Sequence, residues 1–201
     1  MHVFPALLVL ATLSAPGTSD NSKFYTQQIP SAPAAGKLGG VQFNVTEAVL
    51  EADGMSSIQV GKSSDSVRPY KLKLHQVSEG GAKRTLYIRI QVDWDNRLDG
   101  SKIAWRAYAD GTPESNKQKL LGSKSARFDR GITKVEVMTQ PEGGGPSRTE
   151  VFREKIALRL EFGKTKNGFL PGKILIALPD SAKSVIAGSF EAAYKVRHGM
   201  F

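Results

Sequence analysis

The chain has no cysteine. That absence removes thiol nucleophiles, disulfide staples, cysteine-ligated zinc, iron–sulfur clusters and lipoprotein-type acylation. Histidine is nearly as scarce, with three in 201 residues, and neither His75 nor His198 has a partner at a metal-ligand or general-base spacing. No carboxylate pair or nucleophile–base spacing stands out. Ser181, Lys183 and Ser184 do not follow Ser-x-x-Lys, and Asp180 beside them reads as a capping residue. Asp93, Asp95, Asn96 and Asp99 crowd one turn, but not at the spacing of an EF-hand loop, and such residues favour hairpin turns for their own hydrogen bonding. An enzyme is therefore not expected, nor a cofactor, nor a metal. Past the N-terminus no run approaches the ~20 apolar residues that a membrane-spanning helix needs.

What the sequence does contain is a core and a charge. With 40% hydrophobic residues, a chain of this length can bury roughly 70% of its unfolded surface in a single domain. Its formal net charge is +9, and all 28 Lys and Arg follow residue 20. Val3 to Leu13 is apolar, and Ser14, Ala15, Gly17 and Ser19 after it are small, the pattern of a signal peptide over 1–19. Residues 20–37 hold prolines among small and polar residues and read as a flexible linker. The domain then occupies 38–201. This address is secreted, periplasmic or cell-surface.

Within the domain, the stretch Gly168 to Val196 organises the reading. Lys173 to Leu178 is a short apolar run bounded by Pro171-Gly172 and Pro179-Asp180, which predicts a strand, then a single helical turn at Ser181 to Val185 capped by Asp180. After Gly188, Phe190, Ala192, Tyr194 and Val196 alternate with Glu191, Ala193 and Lys195, the period of a half-buried strand. Similar alternation predicts strands at Val41–Val49, Ser57–Val60, Tyr70–Leu74, Leu86–Trp94, Ile103–Ala107, Val135–Val137 and a long seventh strand from Phe152 to Phe162. About nine short strands separated by turn residues predict an all-β fold. It should be an antiparallel β-sandwich, Ig-like or jelly-roll-like, with a partly open β-barrel as the alternative.

Two segments, Gly36-Lys37-Leu38-Gly39-Gly40 with Phe43, Val45, Ala48 and Leu50, and Gly172-Lys173-Ile174 through Leu178-Pro179-Asp180 to Phe190-Glu191-Ala192, resemble a pattern of uncharacterised secreted bacterial β-sandwich proteins. The resemblance implies address and fold, and carries no activity or catalytic residue.

The outward positions of the third, fourth and fifth predicted strands are Lys71, Lys73 and His75, then Tyr87 and Arg89, then Lys102, Arg106 and Tyr108. If those strands pair in order, these residues share one sheet face. Cations beside aromatic rings suit polyanions, so Lys71, Lys73, Tyr87, Arg89, Lys102, Arg106 and Tyr108 are the candidate binding residues. The expected function is a non-enzymatic binding module for an anionic polysaccharide or polyanionic envelope surface, with nucleic acid a weaker candidate. The alternative is a structural or assembly protein of the cell envelope or extracellular matrix, self-assembling through edge strands or the long seventh strand. The bland reading of the same face is a solvated basic surface. Asn44-Val45-Thr46 is a glycosylation sequon, with Asn44 pointing away from the core.

Overall fold

The computed structural model describes residue 24 and residues 26–52, 56–60, 63–78, 81–93, 98–105, 119–121, 131–153 and 156–196. The expected leader, 1–19, lies outside the described residues. The regular elements among the described residues are all β, apart from helical backbone at residues 24 and 26 and a 3-10 turn at Glu142–Gly144. Its strands in chain order are β1 (Ala35–Leu38), β2 (Val41–Asn44), β3 (Glu47–Ala52), β4 (Ser56–Val60), β5 (Ser63–Val77), β6 (Lys83–Asp93), β7 (Lys102–Trp105), β8 (Lys119–Leu121), β9 (Gly131–Gln140), β10 (Arg148–Phe152), β11 (Ala157–Phe162), β12 (Phe169–Ala177) and β13 (Val185–Val196).

These strands form one sheet, ordered β10-β9-β6-β5-β3-β13-β12-β11-β7-β8, with β1 and β2 attached beside β13 and β4 beside β5. Among the described strand pairings, only β13 with β3 is parallel. The all-β expectation holds. The architecture, however, is a single curled, open sheet, nearer the partly open barrel than two stacked sheets. Its main apolar cluster lies on one side, and a right-handed strand twist summed over ten neighbours rolls that side inward. Residues from both halves of the path, such as Leu86 and Val135 on one and Leu160 and Ile174 on the other, share one buried cluster. Near closure shows in β7 and β9, far apart along the path yet within 8 Å between Cα atoms.

The segment around the last two strands behaves largely as its pattern predicts. Phe190 is buried on the concave side, and its ring lies over Gly172, where a Cβ would come within 2.4 Å of it. It meets Phe162 edge-to-face, with centroids 6.2 Å apart. Asp180 caps as expected, its Oδ1 accepting the Ser184 N–H at 2.7 Å. Residues 181–182 nevertheless form a turn rather than a helical turn, because the Ser184 carbonyl accepts from Leu178 N–H at 2.9 Å and leads directly into β13. The buried Ser184 hydroxyl also accepts the Gly39 N–H at 2.8 Å. The two segments that carry the resemblance therefore lie against each other. At their crossing Gly188 has φ 138°, and a Cβ there would stand 2.6 Å from Ala34 Cα.

Three expectations about strands need correction. The long seventh strand is broken after Arg153, and its parts lie far apart in the sheet, β10 at one end and β11 third from the other. The first predicted strand divides at Val45 and Thr46, whose N–H groups leave the ladder for the carbonyls of Ala34 and His75. The fifth strand, β7, does not neighbour the fourth, β6. The longer β9 takes that edge with nine register pairs and extends the apolar face with Ile132, Val135 and Val137, whereas β7 lies between β11 and β8.

Residues 26–34, within the stretch whose composition reads as a linker, cross the convex side of β11, β12 and β13 as a strap, and residues 35–38 form β1. Arg159 Nη1 donates to the Gln27 carbonyl at 2.7 Å and the Phe24 carbonyl at 3.4 Å. The Ser189 hydroxyl donates to the Ser31 carbonyl at 2.9 Å, and Ile29 is buried.

Candidate functional site

Alternation along β5 buries Leu72 and Leu74 on the concave side and turns Lys71, Lys73 and His75 to the convex side. On β6 the same period turns out Thr85, Tyr87 and Arg89. The register then aligns rows across five strands. One row runs Lys195, Glu51, Lys71, Arg89, Lys134; the next runs Ala193, Val49, Lys73, Tyr87, Glu136; a third runs Glu47, His75, Thr85, Met138.

The charges in these rows engage one another. Lys73 Nζ pairs with Glu51, Arg89 Nε with Glu136 at 3.3 Å and Lys134 Nζ with the same carboxylate at 2.9 Å. Lys71 Nζ sits 4.7 Å from the centroid of the Tyr87 ring. His75 Nδ1 lies 2.7 Å from the Thr85 hydroxyl. Burial works against ionisation of Glu136, but hydrogen bonds from Lys134 and Arg89 outweigh it and hold its carboxyl below the ordinary 4.5. The result is a lattice of cations interleaved with two carboxylates. A shallow concavity of about 260 Å³ opens within it between Lys73, His75, Tyr87 and Lys195.

The structure brings together four of the predicted site residues, Lys71, Lys73, Tyr87 and Arg89. Lys102 is not with them. It lies on β7 opposite Glu161, where it lines a separate cleft of about 670 Å³ with Lys173, Ser189 and Glu191. Arg106 and Tyr108 lie outside the described residues. Pairing in chain order was the step that failed, since β9 supplies the third strand of the patch. Lys134, Glu136 and Glu51 are members that sequence reasoning missed. Their alternation with Val135, Val137 and Leu50 is readable, but which strand lies beside which is not.

The remaining sequence candidates have local explanations where they are described. Asp99 accepts from the Thr165 N–H at 3.2 Å and its hydroxyl at 2.9 Å, so both carboxylate oxygens brace a turn. The Asx residues at 95 and 96 and His198 lie outside the described residues. Among the described residues no three His, Asp or Glu side chains converge as a metal site, and no helix is long and apolar enough to cross a membrane. Asn44 is exposed, its Oδ1 accepting from Gln42 at 3.1 Å. Compared with known protein families, curated proteins and solved structures, the chain matches none.

Tyr70 is also notable. Its hydroxyl is on the concave side near Arg68 and Tyr194, and burial, with Tyr194 adding to it, pushes its pKa up to about 12. These groups line a pocket of about 320 Å³ floored by Leu50, Leu98 and Leu170.

Proposed function

We propose that the protein is an exported, non-enzymatic binding module whose convex face, on β3, β5, β6 and β9, takes an acidic polysaccharide. The observation that carries this reading is the lattice itself. Lys71, Lys73, Arg89 and Lys134 are held in register by Tyr87, Glu51 and Glu136, so little side-chain freedom is lost when a ligand arrives. Cations at strand spacing suit carboxylates along a chain, while Glu136 and His75 offer hydrogen bonds to hydroxyls. Duplex DNA, with a charge every ~1.7 Å of axis, would meet carboxylates beside most of these cations. The apolar run at Val3 to Leu13 supports export to the periplasm, cell surface or medium.

The test is titration with polygalacturonate, a neutral glucan and duplex DNA at two salt concentrations. Polyuronate should bind and weaken with salt, by roughly 0.7–0.9 in log–log slope per contact. Lys71→Gln with Arg89→Gln should flatten that slope, and Lys164→Gln with Lys166→Gln, on an exposed turn, should change it less. Equal losses would reduce the effect to net charge. No polyuronate binding at low salt would end the reading.

A second reading has its own observation. β10 ends the sheet, and its Val151 is 46% exposed, as an edge that adds a strand from another subunit would be. Sedimentation would then show a salt-resistant oligomer that Val151→Lys disperses.

A further inference from the structure

At the end of the curled sheet nearest the β1–β2 and β9–β10 turns, the row beyond the last apolar layer turns polar. Register places Gln76, Arg84, Thr139 and Arg148 side by side across β5, β6, β9 and β10. Arg84 follows the inward period of Leu86, Ile88 and Ile90, and Thr139 that of Val137, so the row faces the concave side. Strand spacing sets the two arginine Cα atoms about 10 Å apart across Thr139, a gap that two long guanidinium side chains can close from either side. A cleft of about 540 Å³ lies over the row, walled by Val41 of the first hairpin and by Pro146 and Glu142 of the second.

Elsewhere on the described sheet, half-buried cations are engaged. Lys73, Arg89 and Lys134 are in ion pairs, Arg159 is bonded to carbonyls and Glu161, Lys71 sits over Tyr87 and Lys173 donates to Ser31. Arg84 is half-buried, yet among the described residues it has no hydrogen-bond, ion-pair or ring partner, and neither has the exposed Arg148. Its cross-strand neighbour Gln76 leaves Oε1 buried and without a donor, so it does not engage the guanidinium either. Taking charge partly out of water without a partner is unfavourable. A fork of N–H donors matches the geometry of a carboxylate.

We propose that this cleft is a carboxylate subsite, in which Arg84 and Arg148 clamp the acidic group of a uronate residue. Thr139 offers a hydroxyl between them, and Val41 and Pro146 give the sugar an apolar wall. The cleft falls within the ~300–1,000 Å³ of ordinary ligand sites. The inference rests on the acidic-polysaccharide reading and adds a second, concave site to the convex lattice.

Calorimetric titration with digalacturonate, digalactose and polygalacturonate separates the two. Wild type should bind digalacturonate and not digalactose. Arg84→Gln and Arg148→Gln should each weaken digalacturonate at least about tenfold, as expected for losing a charged hydrogen-bond donor. Arg84→Lys should recover only part, because it keeps the charge and loses the fork. Glu142→Gln should tighten binding by removing a like charge at the lip. Lys71→Gln with Arg89→Gln should leave digalacturonate unchanged while weakening the polymer. Arg148 is exposed, so its variant tests the clamp even if Arg84→Gln lowers the melting temperature. Polymer binding without digalacturonate binding, or digalacturonate affinity unmoved in both arginine variants, overturns the clamp and leaves the lattice standing. Digalacturonate binding without polymer binding does the reverse.

Discussion

On the convex side of β5, β6 and β9 the positions that alternate with the core are Lys71, Lys73, Tyr87, Arg89, Lys134 and Glu136, charged or amphipathic and open to water. On the same side of β11, β12 and β13 the corresponding positions include Ala157, Leu175 and Ala177, each no more than 2% exposed. One sheet thus has a wet half and a roofed half, and the roof is the strap at 26–34. Strand composition records the difference. β6 alternates strictly, as a strand wet on one face must, whereas Ile174 to Leu178 is an unbroken apolar run of the kind found where both faces are covered.

The first way to break this comparison is to remove the roof. Ile29 is 2% exposed, and Ile29→Ala should cost ~2–4 kcal/mol through lost burial and the cavity left behind. Urea unfolding should show a lower midpoint. A loss under ~0.5 kcal/mol, the size typical of surface substitutions, would mean that the strap merely rests on the sheet.

Arg159 ties strap to sheet, with its side chain only 12% exposed and its donors shared between the Gln27 and Phe24 carbonyls and Glu161, which it meets at 2.8 Å. Arg159→Gln should cost ~1–3 kcal/mol, the range for hydrogen bonds to charged groups. It should also speed amide exchange in the strap before the rest of the sheet. Uniform exchange across the sheet would show that strap and sheet open as one unit.

The legibility of the fold follows the same division. The wet half could be read almost strand by strand, because β5 and β6 carry their instructions in local alternation and pair as consecutive neighbours. The candidate face lost Lys102 because neighbour order depends on which apolar faces meet, and β9 outcompetes β7 for the edge of β6. The strap was illegible. Its proline, serine and alanine residues specify no element, and its order comes from Arg159 and Ser189, more than a hundred residues away. Arg84 was missed for a related reason: a cation continuing an apolar period looks like the end of a strand until the register shows Arg148 two strands away.

The smallest effect distinguishes the halves by proton linkage. Glu136 has a folded pKa below its ordinary 4.5, so the folded state binds fewer protons than the unfolded one in that range. Its contribution is therefore fully present above about pH 4.5 and is lost as pH falls through the folded value. Exposed and half-exposed ion pairs contribute ~0–1 kcal/mol, and Arg89 is 38% exposed, so the drop should be correspondingly modest. Glu136→Gln should lower the urea midpoint at pH 7 and lower it less at pH 3, because the wild type loses the stabilisation from that charge as pH falls below the ordinary value. Ile29→Ala, whose effect involves no proton, should lower the midpoint by the same amount at both pH values. If Glu136→Gln is equally costly at both, the carboxylate acts through packing and the lattice is not held by its charges. If Ile29→Ala becomes costlier in acid, the roofed half is coupled to a titrating group, and the two halves are less independent than their surfaces.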